Sequence, residues 1–413
     1  MNKLNLLWDE SHFWGIMLSR ALQDLEIPFK TISAGQVKAG ILEQSPPAGL
    51  LVPGGWARLK TEILGRTGRD NIRKYISSGG KYLGFCGGAG LALRSTSGWP
   101  GLDLCPWGRK PVKERLPNFS GHILCRVKTD YSACEQQVYL PAWWPSQFKP
   151  SPDSPQSLRV MARYLSPGED FWCSDLILSQ IQPGDLEKWE NIYKINLNPV
   201  CLEDEPCIIR DSFGLGEYIL SYVHLETPES TQANRILWTI LRHWLEQSAP
   251  EAEKVKVTAW NLRETRPVWK DKTLLQAKQG LDEIIDLAQS QFLLFWRSSW
   301  LLGWRRGIPG SPINFLYAMI CRALTGRPDQ ETRNLWNAGK KEFQDNMETF
   351  LKELKTYLSQ ERLAIAFSQS SPESSSSSGL QSRKQRLFGT FPGYGGIYGQ
   401  LIRQLDQLVF RLM

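Results

Sequence analysis

The chain has 413 residues, 41% hydrophobic and 22% charged, enough to bury a sizeable core and too many for one domain of ordinary size. Its formal charge of +7 comes from 49 basic and 42 acidic side chains. The whole excess falls in residues 251–413, which hold 23 basic and 16 acidic residues, a diffuse bias without the clustered basic face or motif of a nucleic-acid binder. No nucleic-acid partner is therefore expected.

In chain order, Leu4 to Trp8 reads as a strand and Phe13 to Leu25 as a helix with apolar residues at three- and four-residue steps. Strands follow near Phe29 to Ile32 and at Gly49 to Val52, the latter ending in Pro53-Gly54-Gly55. A helix over Arg69 to Ser77 closes at Gly79-Gly80, and Lys81 to Phe85 is a buried strand that runs into Cys86-Gly87-Gly88-Ala89-Gly90. Strands alternating with helices predict an α/β fold, a mostly parallel sheet with helices on both faces and its sites at the carboxyl ends of the strands. Residues 100–200 are rich in Pro and Trp, with strands expected at His122 to Lys128 and Phe171 to Ile177 as hairpins on one sheet edge. Strands Cys207 to Arg210 and Glu217 to Val223 flank the turn Gly214-Leu215-Gly216, and a helix runs from Thr231 to Trp244.

Past Pro250 the pattern changes. Leu274 to Trp304, Ile313 to Leu324 and Glu331 to Leu363 carry helical apolar spacing, which predicts an all-helical domain over 260–365 after an α/β domain over 1–250. A serine-rich linker is expected over 366–386, and a tail over 387–413 with an amphipathic helix built on Leu401, Ile402, Leu405, Leu408, Val409 and Leu412. That helix, and the Phe295, Trp296, Trp300 and Trp304 run, read as core packing, with a partner protein or membrane surface as the sharper alternative. The longest apolar stretch, Phe292 to Trp304, is too short and too polar to span a bilayer. The opening residues, with Asp9 and Glu10, do not read as a secretory signal. Eight cysteines, without a C-x-x-C pair or Cys/His spacing, suit a cytoplasmic protein with no disulfide scaffold and no metal. No cofactor is indicated.

Gly84-Phe85-Cys86-Gly87-Gly88 carries the strongest chemical signal. A strand turning into a helix through glycines forces its apex residue into a strained conformation and presents that side chain at the sheet edge, at a helix N-terminus that favours thiolate. The Gly87 N–H can serve an oxyanion, with a second donor from the Gly54-Gly55 loop. The plainer reading is a glycine-rich turn whose cysteine fits a small space. A second signal is His224-Leu225-Glu226 at a strand end, where residues two apart point to one side and the carboxylate can orient the imidazole. His12 is a candidate substrate contact. His122 and His243 read as structural, and Glu203-Asp204-Glu205 as a solvated turn.

A Pro-Gly-Gly loop, a Gly-x-Cys-x-Gly elbow and a downstream His-x-Glu resemble class I glutamine amidotransferases. The closer resemblance is to the amidotransferase-like domain at the N-terminus of biotin–protein ligases, through Leu50 to Leu93 and again at Gly216 to Glu226. The resemblance implies a flavodoxin-like fold for residues 1–250, Cys86 as nucleophile, His224 as base, Glu226 as orienting acid, and Gly54, Gly55 and Gly87 around the oxyanion and substrate. Two positions depart from the family pattern: Gly90 stands where a substrate-holding glutamine is usual, and Leu225 where the proline of His-Pro-Glu is usual. Gly303-Trp304-Arg305-Arg306-Gly307 is only superficially like a ligase phosphate loop, so biotin ligation is not expected. Two functional readings remain open: a cysteine-dependent hydrolase or transferase acting on a small-molecule amide, and a non-catalytic module that binds a ligand or partner.

Overall fold

Short apolar runs become strands and the amphipathic segments become helices in the computed structural model, which describes residues 3–96, 98–128, 135–246, 255–367, 378–390 and 394–413. The first part alternates β1 (Leu4–Leu7), α1 (His12–Asp24), β2 (Phe29–Ile32), α2 (Ala34–Lys38), α3 (Ile41–Gln44), β3 (Gly49–Val52), α4 (Ala57–Ser77), β4 (Lys81–Phe85) and α5 (Gly87–Ala92). Then come β5 (Gly108–Arg109), β6 (Phe119–Val127), β7 (Gln136–Trp143), β8 (Phe148–Lys149), β9 (Arg159–Pro167), β10 (Trp172–Cys173), β11 (Leu176–Ile177), α6 (Pro183–Tyr193), β12 (Pro206–Phe213), β13 (Gly216–Ser221) and α7 (Thr231–Trp244). The chain divides into two units, Met1–Thr258 and Ala259–Met413.

The first unit is built on one mixed sheet of 11 strands. Its parallel part has the order β2-β1-β3-β4-β13, the flavodoxin-like doubly wound arrangement whose crevice opens beyond the carboxyl ends of the strands. β1, β3 and most of β4 are buried throughout, as expected of strands covered on both faces. Helix α4 extends the predicted Arg69–Ser77 segment back to Ala57; the break at Gly65, with φ 57° and ψ −171°, hid the first half from a periodicity reading. Beyond β13 the sheet turns antiparallel through β12, β9 and β6, with β7, β10 and β11 added on β6. This is the edge extension expected from residues 100–200. The Pro- and Trp-rich Pro141-Ala142-Trp143 stretch forms the end of β7, because Pro141 needs no ladder N–H at its position opposite His122.

The second unit is helical: α8 (Lys272–Ser290), α9 (Gly310–Thr325), α10 (Gln330–Phe367), α11 (Ser378–Phe388) and α12 (Gly396–Arg411). It departs from the expected continuous helix over Leu274 to Trp304. Phe292 takes a left-handed φ of 57°, ending α8, and the chain returns as a hairpin of β14 (Leu294–Ser298) and β15 (Leu301–Trp304). The Phe295 ring lies against Gly303, where any Cβ would meet it at 2.1 Å, so a glycine is what lets the hairpin carry its aromatics. The Gly303–Gly307 loop therefore follows a strand, not a helix. The expected linker over 366–386 also needs correction, since α11 begins at Ser378; residues 368–377 of that linker, like Cys134, lie outside the described residues. In α12 the apolar stripe Leu401, Ile402, Leu405, Leu408 and Val409 is buried, and Arg322 Nη2 of α9 donates to the Leu412 carbonyl at 2.6 Å. No helix among the described residues is long and apolar enough to cross a membrane.

Candidate active site

The elbow after β4 follows from its glycines. A Cβ on Gly87 would sit 1.9 Å from the Gly55 carbonyl oxygen, and one on Gly88 would sit 2.0 Å from that of Val52. The Gly84 position is closed by the Gly88 backbone at 2.6 Å. With no side chain at these points, the loop after β3 and the start of α5 pack backbone against backbone. Cys86 absorbs the turn between them with φ 45° and ψ −100°. Such a conformation costs a non-glycine residue about 1–3 kcal/mol and persists only where the surroundings fix it. Here the Cys86 N–H donates to the Ser221 carbonyl of β13 at 2.8 Å, and the Cys86 carbonyl accepts from Gly90 N–H at 2.8 Å. The side chain is left partly exposed. Gly87 heads α5, so its N–H has no carbonyl acceptor within the helix.

β13 lies beside β4 in parallel register and delivers His224 and Glu226 just past its end. Both side chains are fully buried and paired, His224 Nδ1 to Glu226 Oε1, at 2.7 Å. That pairing assigns the Nδ1 proton to the carboxylate side, leaving Nε2 for chemistry. Among the described residues Nε2 has no hydrogen-bond partner. Burial pulls the His224 pKa down, but the Glu226 charge and the neighbouring Cys86 side chain outweigh it, raising the value to about 9. Gly54 closes the other side of the ring: a Cβ there would meet Trp14 at 2.9 Å and His224 Cε1 at 3.1 Å. Cys86, His224, Glu226, Gly54, Gly55 and Gly87 thus come together at the carboxyl edge of the sheet.

Several groups around them gave no signal in the sequence. The Trp14 ring packs on the imidazole with centroids 4.4 Å apart and a 32° tilt. Asn234, fully buried on α7, donates to the Leu225 and Thr227 carbonyls, both at 2.9 Å, and accepts from Val257 N–H at 3.2 Å. Thr227 Oγ1 donates to the His224 carbonyl at 2.8 Å and accepts from Trp143 Nε1 at 3.0 Å. The His224 N–H donates to the Pro141 carbonyl at 2.7 Å. Buried Lys60 donates to the Asp9 carbonyl at 3.0 Å and to Ser11 Oγ at 2.5 Å, fixing the loop whose Glu10 carbonyl overlies Gly55. No spacing rule singles out a lone lysine or asparagine inside a helix, so these supports become visible only in three dimensions.

The remaining sequence candidates are also placed. His12 begins α1 with φ 44° and pairs with Glu10 at 3.5 Å. His122, which lacks a partner in sequence, is held by Asp170 at 2.8 Å and by Ser230 at 3.2 Å. It braces the segment that carries His224. The Glu203-Asp204-Glu205 turn is ion-paired: Asp204 with Arg126 and Arg163 at 3.4 and 3.8 Å, and Glu205 with Lys110 at 2.7 Å.

Residues 30–96 match a family model described as biotin-protein ligase, N terminal. Among solved structures, a GMP synthase component from Thermoplasma acidophilum is 13% identical with a TM-score of 0.36, covering 60% of this chain and 94% of that one. A glutamine amidotransferase of Thermotoga maritima is 12% identical with a TM-score of 0.34, covering 62% and 89%. A β-galactosidase of Bacillus circulans sp. alkalophilus is 11% identical with a TM-score of 0.36, and the 60% of this chain that it matches spans 32% of that protein. No curated protein matches the chain. The segment from β2 through the Gly55 loop to the Cys86 elbow is thus similar to the biotin–protein ligase N-terminal domain, set in a doubly wound α/β sheet.

Proposed function

We propose that the first unit catalyses thiol-based acyl transfer on an amide, as a hydrolase or transferase. The observation that carries this reading is the buried His224–Glu226 pair, with Nε2 unpartnered beside a cysteine held at φ 45°. A structural histidine would satisfy both ring nitrogens. In the first step Cys86 Sγ attacks the amide carbonyl as a thiolate, its proton already resting on His224 Nε2. The C–N bond then breaks as Nε2 returns the proton to the leaving nitrogen. Water, or another acceptor, releases the acyl group with the same histidine as base. Gly87 N–H at the head of α5, with the adjoining Gly55 backbone, suits the oxyanion. Gly54, having no side chain, lets the loop after β3 pack directly on the His224 ring, and Glu226 holds the ring orientation and the imidazolium form.

The test is alkylation of Cys86 by iodoacetamide in protein whose other cysteines are replaced, followed by ammonia release from a panel of small amides. His224→Ala should slow alkylation at least about tenfold, since a thiol without a paired imidazole reverts to ordinary reactivity. Cys86→Ala should remove amide turnover. Alkylation unchanged by His224→Ala would sink the reading. The alternative of a non-catalytic binding module is favoured by Gly90, the position where the family's glutamine would hold substrate. Its signature would be ligand binding that survives Cys86→Ala.

A further inference from the structure

The cationic excess of the second unit has no role in the chemistry at Cys86, and part of it gathers around one cavity. Lys270, Lys272, Arg327, Arg333 and Lys340, with the single carboxylate Asp271, line a cavity of about 540 Å³, within the size range of small-molecule sites. Five cations against one carboxylate leave four positive charges in excess. Asp271 does not offset them, because it is committed twice over. Its Oδ1 accepts from Thr273 and Leu274 N–H at 2.9 and 3.1 Å, capping α8, and its Oδ2 binds Lys340 at 2.7 Å. Asp329, just before α10, and Glu331 in its first turn are occupied as well. Asp329 Oδ1 accepts from Thr332 N–H at 2.8 Å, and Glu331 pairs with Arg411 at 2.6 Å. Among the described residues, Lys270, Lys272, Arg327 and Arg333 have no carboxylate within ion-pair distance.

The frame around these charges is fixed. The strap at Val268 and Trp269 donates both backbone N–H groups to the Leu324 carbonyl, at 2.8 and 2.9 Å. Lys340 ties α10 to the start of α8 through Asp271. Arg333 and Lys340, seven residues apart on α10, share one helical face, and Arg333 sits over the Trp269 ring at 6.0 Å. Like charges held together in a concave site repel one another and focus a positive potential that an anion relieves. We propose that this cavity binds a compact, multiply charged anion, specifically a phosphorylated small molecule. Planar guanidinium groups from Arg327 and Arg333 suit phosphate oxygens, and Lys270 and Lys272 supply point charges. Its limited volume favours a small molecule over a nucleic-acid duplex.

The experiment is isothermal titration of the full chain with inorganic pyrophosphate at low salt. The expected result is saturable binding, weakened at least about tenfold by roughly 0.3 M NaCl and by the double variant Lys270→Gln/Arg327→Gln. Both replaced side chains are exposed, so the variant should keep its melting temperature; the two single variants, each weakening binding severalfold, provide the same test if it does not. No heat of binding at low salt overturns the proposal, as does equal binding by the variants. A single-stranded oligonucleotide that binds more tightly than pyrophosphate and is lost in the same variants would overturn the small-molecule assignment. None of these outcomes depends on Cys86.

Discussion

Replacing Glu226 by glutamine isolates the charge that controls His224. Burial is the largest single influence on that imidazole and acts to lower its pKa; the Glu226 carboxylate and Cys86 reverse it and bring the value to about 9. Glutamine keeps a carbonyl oxygen for the Nδ1–H while removing the charge. With that charge gone, burial weighs more heavily and His224 should titrate well below 9. The effect also reaches stability. In the wild type the folded-state pKa is raised, so the stabilisation is fully present below about pH 6.5 and is lost as pH rises through 9. The difference between about 9 and 6.5 corresponds to about 3 kcal/mol. In Glu226→Gln the lowered value shrinks this contribution, so less stability should be lost between about pH 6.5 and 9. The chain has four histidines, so the imidazole Cε1–H resonances can be assigned by single replacement and followed by NMR from acid to alkaline pH, alongside urea unfolding. A wild-type midpoint near 6.5, or a midpoint near 9 that survives Glu226→Gln, would refute the reasoning.

Gly87→Ala places a Cβ 1.9 Å from a backbone oxygen, so thermal unfolding should show a loss of about 3 kcal/mol or more, or a failure to fold. By contrast, Gly90→Gln restores the residue usual in the resembled family at a site where the nearest atom to a new Cβ is the Ala57 side chain at 3.4 Å. It should leave the melting temperature almost unchanged and, if amides are substrates, lower KM rather than raise kcat. Asn234→Ala removes three buried hydrogen bonds, two to the His224–Thr227 turn and one from Val257 N–H. A cost of about 2–4 kcal/mol is expected in denaturant unfolding, together with slower Cys86 alkylation that Asn234→Asp does not fully rescue. His122→Ala, which releases Ser230 from β6, should slow that alkylation less, by about two- to threefold.

The parallel half of the sheet was readable because each of its elements obeys one period. Buried apolar runs of four or five residues gave β1, β3 and β4, and paired glycines marked the turns after β3 and β4. The elbow and the His-x-Glu end of β13 were legible for the same reason, since local geometry decides both. What failed to show had nonlocal causes. The first half of α4 was masked by the break at Gly65. β7 was hidden by Pro141, tolerated only because of its ladder position, and β14 and β15 depend on Phe295 finding Gly303 across the hairpin. Lys60, Asn234 and Trp14 support the site through contacts with residues distant in sequence.

Nucleophile and base answer to different parts of the chain. The elbow is locked by glycine contacts within the segment that matches the ligase N-terminal model, whereas His224 hangs from β7, through the Pro141 carbonyl and the Trp143–Thr227 link. A descendant of this chain could therefore lose its chemistry by drift at Pro141 or Trp143 with every residue of the Cys86 motif intact. Retention of the cysteine signature is then a poor witness to activity, and the better witness is the state of an antiparallel strand that lies outside the matched segment.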